Sequence, residues 1–311
     1  MIDSKYIIDT TLLRKAEALS KQIGNTPVHQ FRHWKNRNIR VLAKMEWKQL
    51  SGSVKARAAY SIILSAIREG RLTQGKHLLD ATSGNTGIAY AVICKKLDLR
   101  ITLCLPENAS QERKDILNEL GVDIVFTSPF EGTDGAQETA LELFNQNQSK
   151  YFYADQYKNQ QNWKAHYYTT APEILMSVPG ITHFVAGLGT TGTFTGTGRR
   201  LKDSNQSIKL ISLQPDYPLH GMEGWKHLET AVVPAIYDAG LADETELIST
   251  EEAYLTIRTI FKQDGILLSP SSAANLAGAF RIAEKSENNI VVTILPDNAD
   301  KYKEVIKFLN L

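Results

Sequence analysis

The sequence predicts an α/β protein of two domains, each with a mostly parallel sheet between layers of helices. Apolar runs of strand length alternate with longer segments of helical periodicity, and the alternation resumes in the second half of the chain. Parallel strands are buried on both faces and therefore read as continuous apolar runs, as these do. The length of 311 residues is about twice that of a usual single domain.

Eight apolar runs predict strands. They are VLAKMEW (41–47), HLLDATS (77–83), ITLCLPE (101–107), DIVFTS (123–128), KYFYAD, ITHFVAGLG, IKLISLQPD and NIVVTILPD. Between them lie helical patterns such as VKARAAYSIILSAIREG and NTGIAYAVICKKLDL. This order is that of repeated β-α-β units, which place neighbouring strands parallel.

Composition and charge argue against several classes of function. The chain is 42% hydrophobic and has a formal charge of +1. It contains no dense stripe of basic residues of the kind that binds nucleic acid. No apolar run is long enough for a transmembrane helix, and the first residues lack a signal-peptide pattern, so we expect a cytoplasmic enzyme. Cys94 and Cys104 lie in apolar runs and are expected to be buried thiols. The histidines show no ligand spacing, so no metal is expected.

Four loops carry small residues and hydroxyl groups just before a predicted helix. They are SGSVK after the strand that ends at Trp47, TSGNTG after LLDA, GLGTTGT after HFVA, and SPSSAAN after GILL. In parallel sheets, ligands bind at the carboxyl ends of the strands, where helix N-termini offer free N–H groups to anions. These loops are therefore the candidate site.

The segment GLGTTG (187–192) has two interpretations. It matches the dinucleotide fingerprint GxGxxG after a strand, and Asp216 ends the next strand at about the expected distance. A nicotinamide-dependent dehydrogenase is therefore one hypothesis. The hydroxyl groups of Thr190, Thr191 and Thr193, however, are better suited to a terminal phosphate monoester.

The other loops predict covalent and carboxylate chemistry. Lys55 begins a helical pattern, where its charge is unfavourable for the helix dipole, and a desolvated lysine can form a Schiff base and act as a base. The TSGNTG loop, at 82–87, combines backbone donors, hydroxyls and an amide, which is suited to binding a carboxylate, although Ser83 or Asn85 could be an ordinary helix cap. Ser271 and Ser272 are either helix caps or partners of a cofactor nitrogen.

Together these residues resemble the pyridoxal-phosphate (PLP) β-replacement enzymes of the tryptophan-synthase-β fold, known as fold type II, which include cysteine synthase and cystathionine β-synthase. The motifs occur in the family's order: IGNTP (23–27), SGSVKAR (51–57), TSGNTG (82–87), GLGTTGT (187–193) and SPSSA (269–273). The resemblance implies a smaller mobile domain at 45–160 and a larger one at 1–44 plus 161–311. It also implies a cofactor in the cleft between them and a homodimer.

The resemblance also implies a role for each matching residue. Lys55 would form the internal aldimine and move the Cα proton, and Asn85 would bond the ring hydroxyl of the cofactor. Ser271 would face the pyridine nitrogen. The phosphate would be held by Gly189, Thr190, Thr191, Gly192 and Thr193. The substrate carboxylate would be bound by Thr82, Ser83, Gly84, Thr86 and Gln156.

The implied activity is β-replacement on an O-activated L-serine, through an α-aminoacrylate. The expected reaction is that of a cysteine synthase, which converts O-acetylserine and sulfide to L-cysteine and acetate. Cystathionine β-synthase and an enzyme that adds an amine nucleophile are the alternatives within the family; a threonine dehydratase matches the loops less well. The nicotinamide-dependent dehydrogenase and a catalytically silent scaffold are alternatives from other classes.

This sequence departs from the family pattern at several positions. Gln49-Leu50 replaces the usual Asn-Pro, and Ala56 and Ala273 replace an Asp and a Gly. Thr191 stands where a glycine is common, so its backbone must tolerate that geometry. The segment HGMEGWKH (220–227) replaces a Gly-Ile-Gly-like loop. Trp225 and Lys226 are thus either a packed aromatic and a surface lysine or residues that reshape the second-substrate pocket.

Overall fold

The computed structural model describes residues 8–33, 35–36, 39–82, 84–285 and 288–311. Among these residues the first half of the chain contains α1 (Thr10–Ala18), β1 (Val28–Arg32), β2 (Arg40–Met45), α2 (Lys55–Arg68), β3 (His77–Ala81), α3 (Asn85–Leu97), β4 (Arg100–Pro106), α4 (Gln111–Glu119), β5 (Asp123–Thr127), α5 (Gly132–Gln146) and β6 (Tyr151–Tyr153). The second half contains α6 (Gln160–Ala165), α7 (Ala171–Ser177), β7 (His183–Gly187), α8 (Gly192–Ser204), β8 (Lys209–Pro215), β9 (Glu244–Ile248), α9 (Thr250–Asp264), α10 (Pro270–Ala283), β10 (Val291–Leu295) and α11 (Lys303–Phe308).

These elements form two compact units. The described part of the first unit is residues 8–24 and 55–162, and the second unit is residues 25–54 and 163–311. The first has a parallel sheet in the order β5-β4-β3-β6. The second has a sheet in the order β1-β2-β10-β7-β8-β9, in which only β1 is antiparallel to its neighbour. The predicted α/β class with mostly parallel sheets is confirmed.

The unit boundaries differ from the expected 45 and 160. Residues 45–54 pack with the second unit because β2 pairs with β10 and the Val54 N–H donates to the carbonyl of Pro296 at 2.8 Å. The N-terminal helix α1 packs instead in the first unit, where the Tyr60 hydroxyl donates to the carbonyl of Ala16 at 3.1 Å. Pairing of distant segments, which a linear pattern does not reveal, sets these limits.

The predicted strands are found within a few residues of their runs, and two further strands lie at the sheet edges. β1 (VHQFR) and β9 (ETELI) are rich in polar residues, and most of their positions are partly exposed. An edge strand contacts the sheet on one side only and needs no continuous apolar run. Their composition therefore hides them from a pattern that detects buried strands.

The second unit contains a buried ion pair beneath its sheet. The Lys44 ammonium on β2 is fully buried, and it lies 2.7 Å from a carboxylate oxygen of Glu173 on α7. The ammonium also donates to the carbonyl of Thr26 at 2.8 Å. Thr26 belongs to the IGNTP motif, so this pair holds the motif against the sheet.

We predict that Glu173→Gln lowers the free energy of unfolding by about 3 to 5 kcal/mol, because it leaves the charge of Lys44 buried without its counter-ion. Chemical denaturation measures the change. The control is Glu17→Gln, which removes an ion pair to Arg68 whose side chains are 56% and 47% exposed, and which should change stability by less than about 1 kcal/mol. Equal effects of the two substitutions would contradict the prediction.

Candidate active site

The loop that precedes Lys55 is anchored by buried polar contacts in the second unit. Gln49 donates through Nε2 to Glu46 at 3.0 Å, and the Thr26 hydroxyl donates to the same carboxylate at 2.6 Å. Gln49 thus supplies a side-chain contact where the family has Asn-Pro. Lys55 itself is the first residue of α2 and is partly buried. The predicted strand-to-helix position of the lysine is therefore confirmed.

The TSGNTG loop joins β3 to α3 in the first unit. Thr82 and Thr86 are buried, whereas Gly84 and Asn85 are partly buried. The Thr82 hydroxyl accepts a hydrogen bond from the Gly84 N–H at 3.2 Å. Gly84 occupies the N-cap without a side-chain cap bond, so Asn85 is not the cap of α3. Ser83 lies outside the described residues.

Gln156 lies against the same loop. Its Nε2 donates to the carbonyl of Ala81 at 2.9 Å, and Asn162 donates to the Gln156 carbonyl at 2.7 Å. The first unit therefore brings together the loop and the glutamine, two parts of the predicted carboxylate site that are separated by about seventy residues. Sequence reasoning missed their common neighbour Asp80, although an acidic residue in the apolar run HLLDA was the available signal.

The GLGTTGT loop joins β7 to α8 in the second unit. Thr191 has a left-handed backbone, with φ at +68°, and lies at the N-cap of α8. It therefore adopts a backbone conformation that favours glycine, the residue common at this position in the family. Its hydroxyl is buried and has no hydrogen-bond partner among the described residues. The hydroxyl oxygen of Thr193 lies 3.3 Å from Nε2 of the buried His166.

Two glycines of this loop allow close packing of the segment 220–227. A Cβ on Gly189 would lie 2.1 Å from the carbonyl oxygen of Gly224, and a Cβ on Gly187 would lie 2.1 Å from the ring of Trp225. The Lys226 N–H donates to the carbonyl of Leu188 at 2.8 Å. Trp225 is buried in the core of the second unit, so the packed-aromatic interpretation is confirmed for it.

Ser271 lies in the first turn of α10 and is 5% exposed. The N-cap of this helix is Ser269, which accepts from the N–H of Ser272, so the cap interpretation of Ser271 and Ser272 is wrong. The Ser271 hydroxyl donates to the buried carboxylate of Asp297 at 3.5 Å. The Tyr302 hydroxyl donates to the other oxygen at 2.9 Å. Asp297 and Tyr302 follow β10, outside the four loops that the sequence singled out.

The described residues show no metal site. They contain no cluster of three or more histidine, cysteine or acidic side chains that would hold a metal ion. In the part of the chain that the structure describes, no helix is both long and apolar enough to cross a membrane. Cys94 and Cys104 are both free and buried, as expected. Burial raises the pKa of each thiol to about 12, which keeps both protonated at neutral pH.

Comparison with known proteins decides the family. The family model described as pyridoxal-phosphate dependent enzyme matches residues 19–297. The chain belongs to this family. This PLP-dependent enzyme is 44% identical over 299 residues to a cysteine synthase of Aquifex aeolicus; the alignment covers 93% of this chain and 91% of the relative. It is 38% identical over 288 residues to cysteine synthase B of Escherichia coli, with 91% and 93% covered.

A solved structure supports the fold of this PLP-dependent enzyme. The O-acetylserine dependent cystathionine beta-synthase from Helicobacter pylori superposes with a TM-score of 0.85 at 33% identity, covering 96% of this chain and 98% of that chain. The protein is therefore a fold type II PLP-dependent enzyme. Membership of the family also favours the phosphate-monoester interpretation of residues 187–192 over the nicotinamide one.

The residues of the second unit fit the phosphate of PLP. The first turn of α8 presents backbone N–H groups that have no acceptor within the helix. The buried hydroxyl of Thr191 lies at the same helix end and lacks a partner among the described residues. A buried hydroxyl without a hydrogen bond is costly, and a phosphate oxygen would accept its proton.

We predict opposite effects of Thr191→Val on the apoenzyme and on cofactor binding. Loss of the buried unpaired hydroxyl should stabilise the apoenzyme by about 1 kcal/mol, while loss of a donor to the phosphate should weaken PLP binding by about tenfold or more. Valine keeps the branched Cβ and hence the backbone strain. Thermal unfolding and a fluorescence titration with PLP measure the two effects.

Thr197→Val is the matched control. Thr197 lies inside α8, whose N-cap is Thr191, and its hydroxyl is likewise buried without a partner among the described residues. This substitution should stabilise the apoenzyme and leave the affinity for PLP unchanged. An unchanged affinity in Thr191→Val would show that its hydroxyl does not bind the phosphate.

Proposed function

We propose that this enzyme is a cysteine synthase, which replaces the acetoxy group of O-acetyl-L-serine by sulfide. The Cβ–O bond breaks, acetate leaves, and a Cβ–S bond forms to give L-cysteine. The observation that carries the proposal is the 44% identity to a cysteine synthase over 93% of this chain, which includes the four loops. When bound, PLP supplies the electron-withdrawing system that makes the Cα proton of an amino acid acidic.

The proposed work of the lysine is covalent attachment and proton transfer. Lys55 holds the cofactor through its Nζ, and this nitrogen then removes and later returns the Cα proton of the substrate. Its place at the start of α2 supports this role, because the helix end disfavours a permanent positive charge there.

The proposed carboxylate site is the loop of the first unit. Thr82, Ser83, Gly84 and Thr86 bind the substrate carboxylate, with Gln156 as the distant member. The contact of Gln156 with Ala81 supports this grouping. The loop thus orients the amino acid so that its Cα proton lies within reach of the base.

The remaining proposed roles concern the cofactor. Asn85 bonds the ring hydroxyl, and Ser271 faces the pyridine nitrogen. Its hydroxyl, unlike an aspartate, does not keep that nitrogen fully protonated, which favours elimination over transamination. The phosphate is held by Gly189, Thr190, Thr191, Gly192 and Thr193. The homodimer that the family resemblance implies stays a prediction, as does the cytoplasmic location expected from the sequence.

We predict that Lys55→Ala abolishes turnover of O-acetyl-L-serine, because no other group then attaches the cofactor and moves the proton. The steady-state rate of cysteine formation measures the effect, at matched protein and PLP content. Lys158→Ala removes an exposed lysine of the same unit and should keep the wild-type rate. Full activity of Lys55→Ala would refute the assignment.

We predict that sulfide is the preferred second substrate. Addition of O-acetyl-L-serine should replace the visible absorption band of the holoenzyme, and addition of sulfide should restore it with release of L-cysteine. L-Homocysteine is the competing test, because solved and curated relatives include O-acetylserine dependent cystathionine beta-synthases. A larger kcat/KM with homocysteine than with sulfide would assign the chain to that activity instead.

A further inference from the structure

A buried carboxylate connects the two parts of the proposed carboxylate site. Asp80 is fully buried on β3, two residues before Thr82. One of its oxygens accepts from the N–H of Ala81 at 2.9 Å, and the other accepts from the N–H of Gln156 at 3.3 Å. The side-chain Nε2 of Gln156 donates a hydrogen bond to the carbonyl of Ala81 at 2.9 Å. We name this arrangement of Asp80, Ala81 and Gln156 the Asp80 bridge.

The bridge is the point where two chain segments are tied together. The Ala154 N–H donates to the Leu79 carbonyl at 2.8 Å, next to the last residue pair of the β3–β6 ladder, Leu79 with Tyr153. Beyond this ladder, hydrogen bonds of Asp80 and Gln156 continue the contact between the two segments. The bridge therefore fixes the position from which the TSGNTG loop leaves the sheet.

Among the described residues, the groups with the largest effects on the pKa of Asp80 include no basic side chain. The neighbouring Tyr90 hydroxyl lowers this pKa, but its effect is smaller than that of burial. Acidic titratable groups face it from α3, β4, β6 and the segment after β6: Tyr90, Cys104, Tyr153, Asp155 and Tyr157. In that segment the Lys158 ammonium lies 4.0 Å from the Asp155 carboxylate. Burial, reinforced by the charge of Asp155, raises the pKa of Asp80 to about 7.

This titration destabilises the fold. The pKa of Asp80 in the native state lies above the ordinary value of an aspartate, about 3.8, so the native protein binds a proton more tightly than the unfolded chain does. Stability therefore falls as the pH rises from about 4 to about 7. A leucine or asparagine would avoid this cost, which indicates that the ionisable group serves the site rather than the core.

We propose that Asp80 is a positioning residue whose ionised form holds the TSGNTG loop and Gln156 in the arrangement that binds the amino-acid carboxylate. The carboxylate accepts both N–H groups strongly, because hydrogen bonds to a charged acceptor are stronger than those to a neutral one. Protonation weakens the bond to Gln156 and loosens the loop. This inference rests on the proposed function and adds a pH-dependent step to substrate binding.

The test compares KM and kcat for O-acetyl-L-serine in the holoenzyme from about pH 5 to about pH 9, a range that brackets the titration. In the wild type, the KM should rise as the pH falls below about 7, by up to about tenfold per pH unit. In Asp80→Asn, whose amide cannot accept from both N–H groups, the KM should be raised and should lose this inflection. The kcat should change much less than the KM, because Asp80 does not touch the reacting atoms.

Two further variants separate this role from a general structural one. Asp155→Asn removes the neighbouring negative charge, so the inflection should move to lower pH; asparagine tolerates the left-handed backbone of this position, where φ is +46°. Asp243→Asn removes a carboxylate paired with Lys202 and Lys209 in the other unit, and should lower stability without moving the inflection. An Asp80→Asn profile that matches the wild type would overturn the proposal.

The thermal stability of Asp80→Asn gives a second, independent test of the role of Asp80. Above pH 7, Asp80→Asn should unfold at a higher temperature than the wild type, because it no longer buries a charge, although its KM for O-acetyl-L-serine is higher. A substitution that merely damaged the fold would lower both. A lower unfolding temperature together with an unshifted KM profile would therefore overturn the proposal.

A last measurement does not depend on the proposed reaction. Hydrogen exchange of the Gln156 N–H, corrected for the intrinsic effect of pH, should slow as Asp80 ionises in the wild type and should not do so in Asp80→Asn. Binding of L-serine, which has the same carboxylate and no activated leaving group, should follow the same pH dependence. If O-acetyl-L-serine is not turned over, the proposed function fails while these two results still decide the role of Asp80.

Discussion

The site depends on one constraint, which is that polar groups at the carboxyl ends of buried parallel strands must find partners without water. Asn275 meets it in the second unit, where its Oδ1 accepts from the Gly187 N–H at 2.7 Å and its Nδ2 donates to the Ile294 carbonyl at 2.9 Å. One side chain thus ties the ends of β7 and β10. The buried hydroxyl of Thr191 leaves the constraint unmet among the described residues.

Buried charge is treated differently in the two units. Lys44 and Glu173 offset each other, so this pair holds the IGNTP motif at a modest net cost. Asp80 is buried among acidic groups, and its ionisation opposes folding. An ion pair whose two charges neutralise each other is suited to a structural contact that does not change with pH. An uncompensated carboxylate is suited to a contact whose strength changes with pH.

The departures from the family motifs are absorbed by local contacts. Gln49 reaches Glu46, and Thr191 adopts the left-handed backbone that a glycine would otherwise supply. Trp225 fills the space over Gly187, and its neighbouring segment packs on the GLGTTGT loop. Each of these residues is therefore accommodated by contacts or backbone geometry within its own unit.

The sequence by itself determined the α/β class, eight of the ten described strands and the start of α2 at Lys55, because apolar runs and loop motifs are local signals. It did not reveal β1 and β9, whose polar composition is typical of edges, or the limits of the two units, which depend on the pairing of β2 with β10. Only the tertiary structure placed Gln156 against Ala81 and Asp297 beside Ser271. Such pairs are distant in the chain, and their energy comes from burial that no linear motif records.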